Sequence, residues 1–172
     1  NLKGAKHPLH WLAGLDPNAA HIPLPMIQIF GGGRHAGNRI DVQDFLVLAL
    51  SAKAFAEAVE MTAEVYFAAA GLMKARGRLN GVADEGGVWP EFRSNEEGLE
   101  LLTEAIGKAG LKPRDDIGIA LDIAASSFGD ARGYRLALED KTLSTHEMVE
   151  MLARWCADYP LVSIEDPVGE DD

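Results

Sequence analysis

Residues 117–123 read IGIALDI and residues 161–167 read LVSIEDP. The first run is apolar on both faces, the mark of a parallel strand covered by helices, and Asp122 interrupts it near its carboxyl end. The second is a shorter apolar run that stops at Glu165-Asp166-Pro167. Between them lies a helical pattern with a core stripe of Met148, Met151, Leu152 and Trp155, opened by the capping-box pair Ser144 and Glu147 and reaching Tyr159. One crossover helix between two such strands puts Asp122 and Glu165 at equivalent strand ends, facing the same rim.

Upstream, residues 24–30 (LPMIQIF) form an apolar strand running into a mobile glycine loop at Gly31-Gly32-Gly33, and residues 42–50 (VQDFLVLAL) form a second strand. An Ala-rich helical pattern follows over residues 53–76, with Phe55, Val59, Ala63, Tyr66 or Phe67, and Ala70 recurring at three and four until Gly77 stops it. Ser94 and Glu97 suggest another capping box for a helix to Ala109, closed by Gly110, and Tyr134-Arg135-Leu136 suggests a short hairpin arm. The order is therefore strand, strand, helix, helix, strand, helix, strand. Repeats and low-complexity tracts are not evident.

Hydrophobic residues make up 47% of the 172-residue chain and charged ones 25%, as in one globular domain with a sizeable core. The net charge of -11 argues against nucleic acid or an anionic membrane surface, both of which need clustered Lys and Arg. No apolar run approaches the ~20 residues that span a bilayer. The single cysteine, Cys156, cannot form an internal disulfide; a small buried thiol in a reducing cytosol is the reading. The chain begins without Met, which suggests a segment of a longer protein.

If the strands bearing Asp122 and Glu165 are neighbours, roughly 4.8 Å apart, their like charges are tolerated only with a proton or cation between them. Oxygen-only ligands favour a hard ion, Mg²⁺; caps or loop ion pairs are the plainer alternative. Ala83-Asp84-Glu85-Gly86-Gly87 sets two acids before a flexible diglycine, making Glu85 a candidate general acid, although a solvated turn has the same composition. Gly31-Gly32-Gly33-Arg34-His35-Ala36-Gly37 fits a phosphate-cradling nest, a lid or a plain connector, with His35 able to donate to an anion. It lacks the Lys-Ser/Thr of a Walker motif. No two of the remaining histidines have metal-ligand spacing, and Ser126-Ser127 has no nucleophile-elbow context.

Taken in order, Pro25-Met26, residues 33–37 (GRHAG), 42–45 (VQDF), 52–58 (AKAFAEA), 84–87 (DEGG), 121–126 (LDIAAS) and 162–167 (VSIEDP) resemble enolase, phosphopyruvate hydratase, over nearly the whole chain. The resemblance implies an α/β fold, the first half of an enolase-type (β/α)8 TIM-like barrel, over residues 23–172. Residues 1–22 would be a linker from a preceding α+β domain. It implies Asp122 and Glu165 as two of three Mg²⁺ carboxylates and Glu85 as the acid that protonates the departing hydroxyl. His35 and Gln43 would lie near the substrate, with Asp44 as a supporting acid on the catalytic and substrate side. A lysine base and the third metal carboxylate would lie outside this segment. Enolases carry Gln-Glu-Phe where this chain has Gln43-Asp44-Phe45.

The implied activity is a Mg²⁺-dependent hydro-lyase of glycolysis interconverting 2-phosphoglycerate and phosphoenolpyruvate, in a cytoplasmic homodimer. Two other readings stay open: a paralogue acting on a related phospho- or phosphono-carboxylate, and a non-catalytic scaffold of enolase shape.

Overall fold

Six of the strands hydrogen-bond into one sheet in the order β3-β4-β1-β2-β5-β9, in a computed structural model that describes residue 14 and residues 22–172. The expected linker over residues 1–22 falls outside the described residues except at residues 14 and 22. The strands are β1 (Ile27–Gly31), β2 (Asp44–Ala49), β3 (Leu79–Val82), β4 (Val88–Pro90), β5 (Ile117–Asp122) and β9 (Leu161–Glu165). The helices are α1 (Phe55–Ala75), α2 (Asn95–Lys108) and α3 (Thr145–Asp158). A second sheet of three short strands, β6 (Gly129–Asp130), β7 (Gly133–Leu136) and β8 (Lys141–Leu143), precedes α3.

Strand direction decides what reaches the rim. β1 and β2 are antiparallel, β2 and β5 are antiparallel, and β5 and β9 are parallel. β2 alone among these four therefore presents its first residue, Asp44, at the edge where β1, β5 and β9 end. The sheet is open, with β3 and β9 at its margins.

Burial of β5 is nearly complete, Ile117, Ile119, Ala120 and Leu121 each being at most 1% exposed, as expected of a strand covered on both faces. Phe30, Phe45 and Phe92 meet edge to face with centroids 5.1 to 6.4 Å apart, the arrangement that ring quadrupoles favour. Gly98 of α2 lets the helix approach this trio, because a Cβ there would sit 2.6 Å from the Phe45 ring.

Several expectations are corrected. The hairpin β3–β4 was not foreseen, since Leu79–Val82 is four residues long and largely exposed and carries little periodicity. Tyr134-Arg135-Leu136 does lie in β7, but within a three-stranded sheet. The buried face of α1 is Ala58, Thr62, Val65, Ala69, Leu72 and Met73; Phe55 and Phe67 are exposed. An Ala-rich helix with apolar residues all round offers two stripes of similar spacing, and the buried one is that carrying Val65, Leu72 and Met73. Cys156 is exposed, because the neighbouring Trp155 takes the sheet side and the next residue lies about 100° round the helix. Ser94 caps α2 through Glu97 N, but Glu97 accepts from Arg93 N and Arg78 and does not close a box. Ser144 and Glu147 form the full reciprocal box. Among the described residues no helix is long and apolar enough to cross a membrane.

Candidate active site

Register brings the acids together. Asp44 is opposite Asp122 in the β2–β5 ladder, and Asp122 is level with Glu165 in the β5–β9 ladder. Side chains at matched positions of neighbouring strands lie on one face, so the three carboxylates form a row along the rim. Asp44 is 4% exposed, Asp122 is half-buried and Glu165 is exposed.

Each of the two inner acids has dedicated donors. Asp122 Oδ1 accepts from Ala124 N at 2.9 Å and its Oδ2 accepts from Gln43 Nε2 at 3.1 Å. The Ala124 bond closes a tight exit from β5 in which Ala124 adopts φ 49°, ψ 47°, a left-handed conformation that strains a residue with a Cβ. Asp44 Oδ1 accepts from Gln28 Nε2. Burial pushes the Asp44 carboxyl above the ordinary carboxylate value, and the charges of Glu85 and Asp122 add to this against the opposing effects of Gln28 and His35. Burial likewise raises Asp122, with Asp166 and Glu85 adding to it.

His35 and Glu85 arrive from two loops. The glycine-rich stretch does not dangle: Gly31 ends β1, Gly33–Ala36 form a 3-10 turn, Gly32 N donates to Gln43 O and Gly33 N to Ile40 O. Those two amides are spent and cannot serve in a phosphate nest, one of the three readings of this loop. A Cβ on Gly31 would stand 2.3 Å from the Ala83 Cβ, so the loop and the Asp84-Glu85 turn pack backbone to side chain here. His35 Nε2 lies 3.8 Å from Glu85 Oε1 and Nδ1 lies 4.0 Å from Asp84 Oδ2. Ligand atoms of His35, Asp44 and Glu85 fall within 4.8 Å of one another.

The far end of the β1–β2 loop is clamped by Asn95, which is fully buried. Its Oδ1 accepts from Asp41 N and Val42 N, and its Nδ2 donates to Asp41 Oδ2. Asp41 also accepts from Ala137 N, tying the loop to the end of β7.

The family model described as the C-terminal TIM barrel domain of enolase matches residues 19–172. This chain belongs to the enolase family. A curated relative, Enolase 1 of Desulfitobacterium hafniense (strain Y51), is 54% identical over 171 residues, covering 97% of this chain. The chain spans 39% of that relative's length.

Within this open, partial barrel of the enolase family, the six residues singled out in the sequence lie around one rim: His35, Gln43, Asp44, Glu85, Asp122 and Glu165. Gln28, Asn95 and Asp41 were not singled out. Gln28 did leave a signal, as the one polar side chain in LPMIQIF. Asn95 looked like an ordinary first-turn residue, and only the tertiary packing of its loop partners distinguishes it.

Proposed function

We propose that the complete protein of which this chain forms part is a Mg²⁺-dependent hydro-lyase interconverting 2-phosphoglycerate and phosphoenolpyruvate. The observation that carries this reading is the level row of Asp44, Asp122 and Glu165 on one rim, in a chain of the enolase family.

The donor set fits the ion. Asp122 and Glu165 offer only oxygen from adjacent strands, and Mg²⁺ takes one or two carboxylates while keeping water and substrate oxygens elsewhere. The His35, Asp44 and Glu85 cluster is also compact enough for a cation. Its imidazole nitrogen is a poorer ligand for a hard ion than carboxylate oxygen, so on this reading the metal belongs to Asp122 and Glu165. Mg²⁺ held there would supply the positive charge that makes a carbon-bound proton beside a carboxylate acidic enough to remove.

The chain's own residues do the rest. Glu85, exposed on its turn, gives a proton to the departing hydroxyl as the carbon–oxygen bond breaks, so that water leaves. Asp44 stands behind it, and its raised affinity for protons keeps one close to Glu85. His35 donates to a substrate anion, while Gln43 holds Asp122 ready. A small phosphorylated carboxylate as substrate, a cytoplasmic setting and a homodimer belong to the same proposal.

The test is turnover of 2-phosphoglycerate by the complete protein, followed through the ultraviolet absorbance of the enol product. Absence of product at saturating Mg²⁺ and substrate overturns the reading. A related phospho- or phosphono-carboxylate is the second reading, favoured by Asp44 where the family carries Glu. A substrate of that class turned over faster than 2-phosphoglycerate would select it.

A further inference from the structure

We infer that Gln28 is a positioning residue that locks Asp44 and the Glu85 turn into one geometry. Its consequence for turnover rests on the function proposed above; the bridge itself does not.

Gln28 is 7% exposed, and a buried amide is tolerated only when both its oxygen and its nitrogen find partners. Its partners sit on different elements. Nε2 donates to Asp44 Oδ1 at the start of β2, and Oε1 accepts from Gly87 N at 2.8 Å. A backbone N–H only donates, so Gly87 requires the amide oxygen on its side and leaves the amide nitrogen facing Asp44. Reversing it would set two N–H donors against each other at Gly87.

The second partner belongs to the turn that carries Glu85. That turn is closed by Ala83 N to Gly87 O at 2.8 Å and Gly86 N to Ala83 O at 2.9 Å. A Cβ at Gly87 would lie 2.4 Å from Gln28 Oε1, so any larger residue there displaces the amide. The side chain thus spans from the buried acid to the turn two residues beyond Glu85, and a displacement of Gln28 changes the separation of the two acids. Length supports this role. Asp44 holds its carboxylate one methylene closer to its own backbone than Glu would, and the long arm of Gln28 closes the gap from β1.

Three changes in the complete protein test the bridge. Gln28→Leu removes both hydrogen bonds at similar size. Gln28→Glu keeps an acceptor for Gly87 N–H but sets a second carboxylate against Asp44. Gln28→Asn, alone and combined with Asp44→Glu, moves one methylene from the amide to the acid. Gln28→Leu is expected to lower kcat about 10- to 100-fold with KM nearly unchanged, the scale of losing a supporting hydrogen bond. It should also abolish hydrogen-exchange protection at Gly87 N–H. Gln28→Glu should lower kcat on the same scale with that protection kept, and Asp44→Glu should recover turnover lost in Gln28→Asn. Unchanged kcat in both Gln28→Leu and Gln28→Glu, or an undiminished protection of Gly87 N–H in Gln28→Leu, overturns the inference. If Gln28→Leu fails to fold, Gln28→Glu and the Asn/Glu pair decide, the absence of rescue counting against it. If the parent protein has no hydratase turnover, the functional proposal falls, and the exchange comparison at Gly87 alone decides the bridge.

Discussion

Glu165 stands level with Asp122, its register partner across the parallel β5–β9 pair. Two carboxylates so placed repel unless a cation or proton intervenes. In the complete protein, Asp122→Asn and Glu165→Gln are each expected to weaken Mg²⁺ affinity by at least about 10- to 100-fold, since removing a ligand costs no less than removing its outer partner. Isothermal titration of Mg²⁺ checks this; affinity unchanged by both substitutions removes the metal assignment.

Glu85 is the exposed acid of the cluster, on a turn 3.8 Å from His35. Glu85→Gln preserves shape and removes the transferable proton, so kcat of the complete protein is expected to fall about 100- to 10,000-fold with KM little changed. Steady-state kinetics measure this. A drop confined to KM would make Glu85 a binding group.

Burial raises the Asp44 carboxyl above its ordinary 3.8. The folded protein then holds a proton that the unfolded chain has released, so this group's contribution to stability is greatest in acid and is lost as pH climbs through the raised value. Asp44→Asn removes that loss. Its melting temperature, compared with the parent at acidic and neutral pH, is expected to gain most at neutral pH, while turnover drops. An advantage that shrinks as pH rises contradicts this account.

Gly98 lies under the aromatic trio, where a Cβ would be 2.6 Å from Phe45 and 2.9 Å from Phe92. Replacing an interior helical glycine by alanine ordinarily gains about 1 kcal/mol of helix propensity, but overpacking a tight core costs about 1–3 kcal/mol. Gly98→Ala is therefore expected to destabilise on balance, seen as a lower denaturant midpoint at unchanged slope.

Ser144 is held reciprocally: its Oγ accepts from Glu147 N, and its own N donates to Glu147 Oε2 at 2.8 Å. Ser144→Ala should cost about 1 kcal/mol in chemical denaturation. Since α3 is the crossover that seats β9, the loss belongs to the same transition as the sheet.

What could be read from residues alone follows contrast in the pattern. IGIALDI and LVSI stand out as largely apolar runs with an acid at the carboxyl end, and their register agrees with that reading; β5 is buried as expected, whereas β9 at the sheet margin is half-buried to exposed. The capping box at Ser144 was visible for a similar reason, its chemistry being local. β3 and β4 were not, because a hairpin of four and three residues is defined by pairing to β1 and not by its own composition. The α1 face was misread where alanine blurs the difference between sides. Gln28 and Asn95 act through partners tens of positions away, Gly87 and Asp41 among them, and such links appear only once the strands are laid side by side.

The reversed direction of β2 has an outcome for how this rim can change. Gly31 and Asp44 are register partners, so the connection over residues 32–43 leaves and re-enters the sheet at the same edge. His35 and Gln43 both ride on it, one near each end. Exchanging that single connection as a cassette would renew two groups of the rim at once, while the strands beneath keep their pairing.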